Sequence, residues 1–227
     1  MNTFQKYWSY INRIVVEEKS TPHNSKLIVA IQNGKYVLNT KSANYSFGSL
    51  HRVFQKTFKK IHFIQKKYTT CLLLGGGVGS VPSIFYHELN LALKTDFVEI
   101  DSEVIGLGKR YFCLSKYPLL TIINDDAKCF LEKNTALYDV IIVDLFIDLD
   151  VPTYFTSEAF FISIKEKLCE KGSLIFNFVA YNYELKEKAK AIESKLKIIF
   201  EAPKFSTKTL SFEGINKVIV VEKIKLN

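Results

Sequence analysis

The segment Leu72-Leu73-Leu74-Gly75-Gly76-Gly77-Val78-Gly79-Ser80 constrains this chain more than any other. Three leucines read as a buried strand and the glycines as a tight turn. Ser80 and Pro82 then open a helix, since serine caps orphan amides and proline fits a first turn. A strand that passes through glycines into a helix begins a βαβ unit. Its glycines also let the backbone approach a bound nucleoside without Cβ clashes.

The rest of the chain repeats that unit. Apolar runs at 71–74, 97–100, 119–123, 140–143 and 174–179 lack polar alternation, which predicts a parallel sheet buried on both faces. Helices are predicted over 80–90, 102–112, 127–133, 157–170 and 183–196, with Gly172 as a C-terminal cap. Lys197–Phe200 and Lys217–Glu222 read as two strands joined by a loop containing Gly214, an antiparallel pair closing the sheet. Ahead of this lie a short amphipathic helix over 2–13 (Phe4, Tyr7, Trp8, Ile11) and a hairpin of Lys26–Gln32 and Lys35–Thr40 around Asn33-Gly34. A helix over 49–66 follows. The expected fold is α/β, Rossmann-like and mostly parallel, with helices on both faces. Residues 1–66 form a dependent N-terminal region, and 67–227 the nucleoside-binding domain.

Composition excludes several alternatives. The net charge of +8 is almost all lysine, with arginine only at Arg13, Arg52 and Arg110. No arginine cluster offers bidentate contacts to phosphate or guanine, so no nucleic-acid partner is expected. The four cysteines and four histidines show no metal-ligand spacing, and the histidines show no triad spacing. Met1–Arg13 lacks a signal-type apolar core and the apolar runs are too short to span a bilayer. A cytoplasmic protein without metal or membrane partner is expected.

The ligand follows from the acids. Glu99 ends the second strand of the unit, where a carboxylate takes both ribose hydroxyls. Asn124-Asp125-Asp126-Ala127 ends the third, and an acid there can accept from the adenine amino group. No Gly-Lys-Ser/Thr follows the glycines, which excludes a P-loop. A pyridine dinucleotide would need a second substrate domain for which no room remains. An adenosyl ligand without phosphates fits, and a cationic sulfonium suits an acidic site. Asp101 reads as a helix cap, and Asp144 sits at a strand's C-terminal end, where parallel sheets bind ligands.

These residues resemble the spermidine synthase family, within the class I S-adenosylmethionine-dependent methyltransferase fold. Leu72–Gly77 is similar to its first motif, Val98-Glu99-Ile100-Asp101-Ser102-Glu103-Val104-Ile105 to its second, Asp126-Ala127 with Phe130-Leu131 to its third, and Tyr138–Asp144 to its fourth. The resemblance implies a transferase acting on S-adenosylmethionine or its decarboxylated form. The expected acceptor is a small amine or other small nucleophile, and a homodimer is expected. By motif, Gly75, Gly77, Gly79, Glu99, Ile100, Asp126 and Ala127 would hold the nucleoside, and Asp144 would be the catalytic carboxylate. Tyr45 and Asp148 are candidate acceptor contacts, and Phe47 a candidate wall. Where the family has an aspartate that grips the donor's ammonium, this chain has Val78. Val78 keeps methyl transfer open as a second reading, and non-catalytic adenosyl binding is a third.

Overall fold

The computed structural model describes residues 1–40, 44–146, 150–212 and 215–224, the side chains of residues 44 and 45 excepted. Helix α1 (Thr3–Trp8) precedes strands β1 (Ile14–Lys19), β2 (Leu27–Gln32), β3 (Lys35–Thr40) and β4 (Asn44–Ser46). The strands form an antiparallel sheet in that order. Asn33 and Gly34 turn the hairpin at φ 51° and 72°, the left-handed pair that a two-residue hairpin turn of matching twist requires. Helix α1 stops short of the 2–13 pattern because none of its residues is buried, and helical spacing without packing does not sustain a short helix. Strand β1 has no counterpart in the sequence reading, since Glu17 and Glu18 break its apolar run.

Helix α2 (Ser49–Lys60) follows and ends six residues before the expected boundary. His62 takes a left-handed φ of 53° there, and only a 3-10 turn covers Phe63–Lys66. The main sheet then begins. Its elements are β5 (Thr70–Leu74), α3 (Ser80–Ser83, prolonged by a π-helical turn to Glu88), β6 (Lys94–Glu99) and α4 (Ser102–Tyr111). Next come β7 (Leu120–Asn124), α5 (Ala127–Lys133), β8 (Tyr138–Val143), α6 (Glu158–Glu166) and β9 (Leu168–Val179). The chain closes with α7 (Tyr183–Ile199), β10 (Phe205–Phe212) and β11 (Asn216–Lys223).

The strand order is β10-β11-β9-β8-β5-β6-β7. Strands β5 to β9 run parallel, and β10 and β11 are antiparallel, as the sequence predicts. The first strand of that pair is displaced: Lys197–Ile199 belong to α7, because Leu196, Ile199 and Phe200 continue its buried face. Gly172 lies inside β9 and does not cap a helix; α6 ends at Glu166, and Leu168 already enters the core. Gly214 lies outside the described residues.

Both faces of the parallel sheet are covered. Leu72, Leu74, Ile141 and Val143 pack toward α5, α6 and α7, while Cys71, Leu73, Val140 and Ile142 pack toward α2 and α3. This burial on both faces is why the central runs 71–74 and 140–143 carry no charged or amide residues. A third cluster seats the N-terminal sheet: Leu27, Val29 and Leu38 bury against Val78, Val104, Leu107 and Phe112. Each such side chain contributes about 1.5–3 kcal/mol of burial. At the rim, Tyr111 donates to Glu17 Oε2 at 2.8 Å. The small sheet is thereby held over α4 and the glycine turn.

Candidate active site

The chain runs from β5 outward to β6 and β7, then crosses back to β8 on the other side of β5. The crevice at the carboxyl ends of β5 and β8 is therefore the point where strand order reverses, the place where open α/β sheets bind ligands. Gly75 and Asp144 are the residues that leave those two strands. The Asp144 amide donates to Leu74 O at 2.9 Å. A Cβ on Gly75 would stand 2.2 Å from the Asp144 carbonyl oxygen, so only glycine, at φ 83°, fits there.

Around this point lies a cleft lined by Gly75, Glu99, Ile100, Asp126, Ala127 and Asp144, residues that the sequence singles out. Gly77 and Gly79, also singled out by the sequence, are not among its lining residues. The Gly77 amide donates to Glu99 Oε2 at 2.8 Å, and a Cβ on Gly79 would meet Leu114 at 2.6 Å. Tyr45's side chain and Asp148 lie outside the described residues. Phe47 is part of the packing: its ring stacks on Phe112 at 5.0 Å and on His51 at 5.3 Å, with its backbone at a left-handed φ of 62°.

Glu99 is buried at the end of β6, and its two oxygens accept from Gly77 N at 2.8 Å and Asp101 N at 3.0 Å. Burial nevertheless outweighs these bonds and pushes its carboxyl up to about 7. Asp144 is half-buried, but protein encloses its carboxyl closely enough that desolvation raises it to about 7 as well. The Asn177 amide opposes that rise, donating to Asp144 Oδ1 at 2.9 Å, and the negative charge of Glu99 adds to it. Asp126 Oδ1 caps α5 by accepting from Lys128 N at 2.8 Å and Cys129 N at 3.2 Å. Asp101 caps α4 as expected, and it also accepts from Thr21 Oγ1 and Asn24 Nδ2.

Two carboxyls raised in this way link stability to pH. A carboxyl whose folded value lies above its unfolded one binds protons more tightly in the native state. Its stabilisation is complete below the unfolded values, 4.5 for Glu99 and 3.8 for Asp144, and is lost as pH rises through about 7. The melting temperature of the ligand-free protein should therefore fall between about pH 5.5 and pH 8, with a smaller slope in Asp144→Asn, as read by scanning calorimetry.

Sequence reasoning missed several lining residues. His23 and Asn24 reach the cleft from the turn before β2, and Phe146 and Phe155 from the segments after β8. No local signal marks His23 and Asn24, which come to the cleft only when the N-terminal sheet docks. Asn177 did leave a signal: it is a lone amide within the apolar run Leu174–Val179. His51 makes contacts that no sequence spacing announces: it bridges Ser80 Oγ at 2.8 Å and Glu88 Oε1 at 2.7 Å. Ser80 is buried, so the bridge ties α2 to the helix after the glycine turn.

The cleft is acidic in a basic protein. Glu99, Asp125, Asp126 and Asp144 line it, and no lysine or arginine among the described residues does. No group of histidine, cysteine or acidic side chains that could hold a metal occurs among the described residues. No described helix is long and apolar enough to cross a membrane.

The spermine/spermidine synthase domain model matches residues 60–225. The chain belongs to the spermine/spermidine synthase family. Among curated relatives, it is 28% identical over 111 residues to a probable polyamine aminopropyl transferase of Bifidobacterium longum, covering 48% of this chain and 24% of that protein. It is 27% identical over 177 residues to polyamine aminopropyltransferase 2 of Aquifex aeolicus, covering 71% and 34%. The chain thus matches about a quarter to a third of these relatives' lengths.

Solved structures agree on the fold. A spermidine synthase in complex with the transition state analogue AdoDATO superposes with a TM-score of 0.67 at 16% identity, covering 92% of this chain and 74% of that one. Human methyltransferase-like protein 13 in complex with SAH superposes with a TM-score of 0.64 at 20% identity, covering 78% and 83%. A spermidine synthase and a methyltransferase thus share this Rossmann-like sheet.

Proposed function

We propose that this chain transfers an aminopropyl group from decarboxylated S-adenosylmethionine to a small amine. The observation that carries the reading is the Asp144 carboxyl, raised to about 7 at the strand-order switch point and sharing one cleft with Glu99. A group poised there accepts a proton near neutrality. The donor is a sulfonium cation and the acceptor an ammonium ion in water, so an acidic cleft lined by no described lysine or arginine attracts both.

In the proposed reaction Glu99 accepts from the ribose hydroxyls, and Asp126 Oδ2 from the adenine amino group. Ile100 and Ala127 supply apolar contact to the base. The neutral amine attacks the methylene carbon next to sulfur. A C–N bond forms, the C–S bond breaks, and its electron pair returns to sulfur to leave a neutral thioether. The proton lost by the nitrogen passes to Asp144.

Val78 bears on donor choice. It is fully buried under Leu27, Val29 and Leu38, so the glycine turn offers no carboxylate to a donor ammonium. Calorimetric titration of the protein with S-adenosylmethionine and with its decarboxylated form tests the proposal. Preference for the decarboxylated donor, with product formed from a diamine, is the expected result. Preference for S-adenosylmethionine would replace it with methyl transfer. Binding without product from any amine would leave a non-catalytic adenosyl-binding protein.

A further inference from the structure

Asn177 is fully buried in β9, between Phe176 and Phe178, which are also buried. A buried amide costs free energy unless both of its ends are bonded. Here both are. Its Nδ2 donates to Asp144 Oδ1 at 2.9 Å, and its Oδ1 accepts from Asn216 Nδ2 at 3.3 Å. The sheet register explains the contact: Val143 on β8 faces Phe176 on β9, so the residues that follow, Asp144 just past β8 and Asn177 on β9, fall side by side. Asn216 is buried at the start of β11, which pairs antiparallel with β9.

The three side chains form a one-way line of donors ending on the carboxylate. Turning the Asn177 amide over would set its oxygen against Asp144 and its NH2 against the NH2 of Asn216. One rotamer is therefore fixed, and each bond polarises the next. Asp144 Oδ1 is held, and Oδ2 is left as the proton-accepting oxygen. We infer that Asn177, oriented by Asn216, is a positioning residue that fixes the Asp144 carboxylate for proton transfer, making β11 part of the active-site machinery. This rests on the reading of Asp144 as proton acceptor.

Among the described residues, the other ionisable groups lining the cleft with Asp144 are Glu99 on β6, Asp125 and Asp126 after β7, and His23 from the N-terminal turn. A pH profile alone cannot assign a shift among them, so the test is residue-specific. In Asn177→Leu, the Asp144 carboxyl, followed by its 13C resonance, should titrate about one pH unit higher, as expected when a bond to the charged form is removed. The acid limb of kcat/KM should move by the same amount, with donor KM within about twofold. Asn216→Leu should shift both in the same direction by less. In the unmodified protein, the Asn177 side-chain 15N resonance should titrate at the Asp144 midpoint, a readout that needs no variant to fold. An unmoved Asp144 titration in a natively melting Asn177→Leu protein, or an Asn177 resonance blind to Asp144, would overturn the inference. Full turnover in Asp144→Asn would instead overturn the proton-acceptor reading, and the carboxyl titration would still report whether Asn177 holds Asp144.

Discussion

Asp144→Asn is expected to lower turnover by roughly 10²–10⁴-fold, the range that a positioned general base supplies. The substitution is nearly isosteric. The carbonyl of the introduced amide can still accept from Asn177 Nδ2, which now donates to Asp144 at 2.9 Å, so the local packing has no reason to change. What is lost is the proton acceptor and one negative charge facing the cleft. The neutral thioether nucleoside should therefore bind with unchanged affinity, while the cationic donor loses some attraction. The acid limb of kcat/KM near pH 7 should lose the contribution of the raised Asp144 carboxyl and keep that of Glu99, which is raised to about 7 as well. Steady-state rates across pH, paired with calorimetry on the thioether, check both halves. Turnover at the unmodified level would remove Asp144 from the mechanism.

Glu99→Ala is the second large effect, and it falls on binding. Each Glu99 oxygen already accepts one backbone amide, from Gly77 and from Asp101. A carboxylate has about four lone-pair sites, so two remain, one on each oxygen, for two ribose hydroxyls. Losing charge-assisted bonds at about 1.5–3 kcal/mol apiece should weaken nucleoside affinity by roughly 10²-fold or more. Donor and thioether product should suffer alike, because both carry the ribose, and KM should rise more than kcat falls. Alanine is the better probe than glutamine, whose NH2 would confront one of the two amide donors and distort the turn itself. Affinity for the thioether within about twofold of the unmodified protein would show that the ribose lies elsewhere.

The parallel sheet was legible because its signals are local. Residues 70–74, 94–99, 120–124, 138–143 and 168–179 form strands close to the apolar runs, and Asn33-Gly34 turns a hairpin for the backbone reason its residues suggest. The acids that line the cleft were legible for the same reason: a carboxyl at the end of a parallel strand points to the ligand side wherever strand order reverses. Burial decided the errors. Helix α1 lacks a core to pack on, and Lys197–Ile199 stay helical because Leu196 and Ile199 find one in the face of α7.

From the sequence alone came the fold class, the switch-point acids and the family, all of which depend on short-range pattern. Only the tertiary structure decided how those acids behave. Desolvation by distant segments raises Glu99 and Asp144 toward neutrality, the docked N-terminal sheet buries Val78, and Asn177 and Asn216 meet Asp144 across three strands. The dielectric around a carboxyl and the partner of a buried amide are set by whatever the fold brings within a few ångströms. Sequence distance says nothing about either.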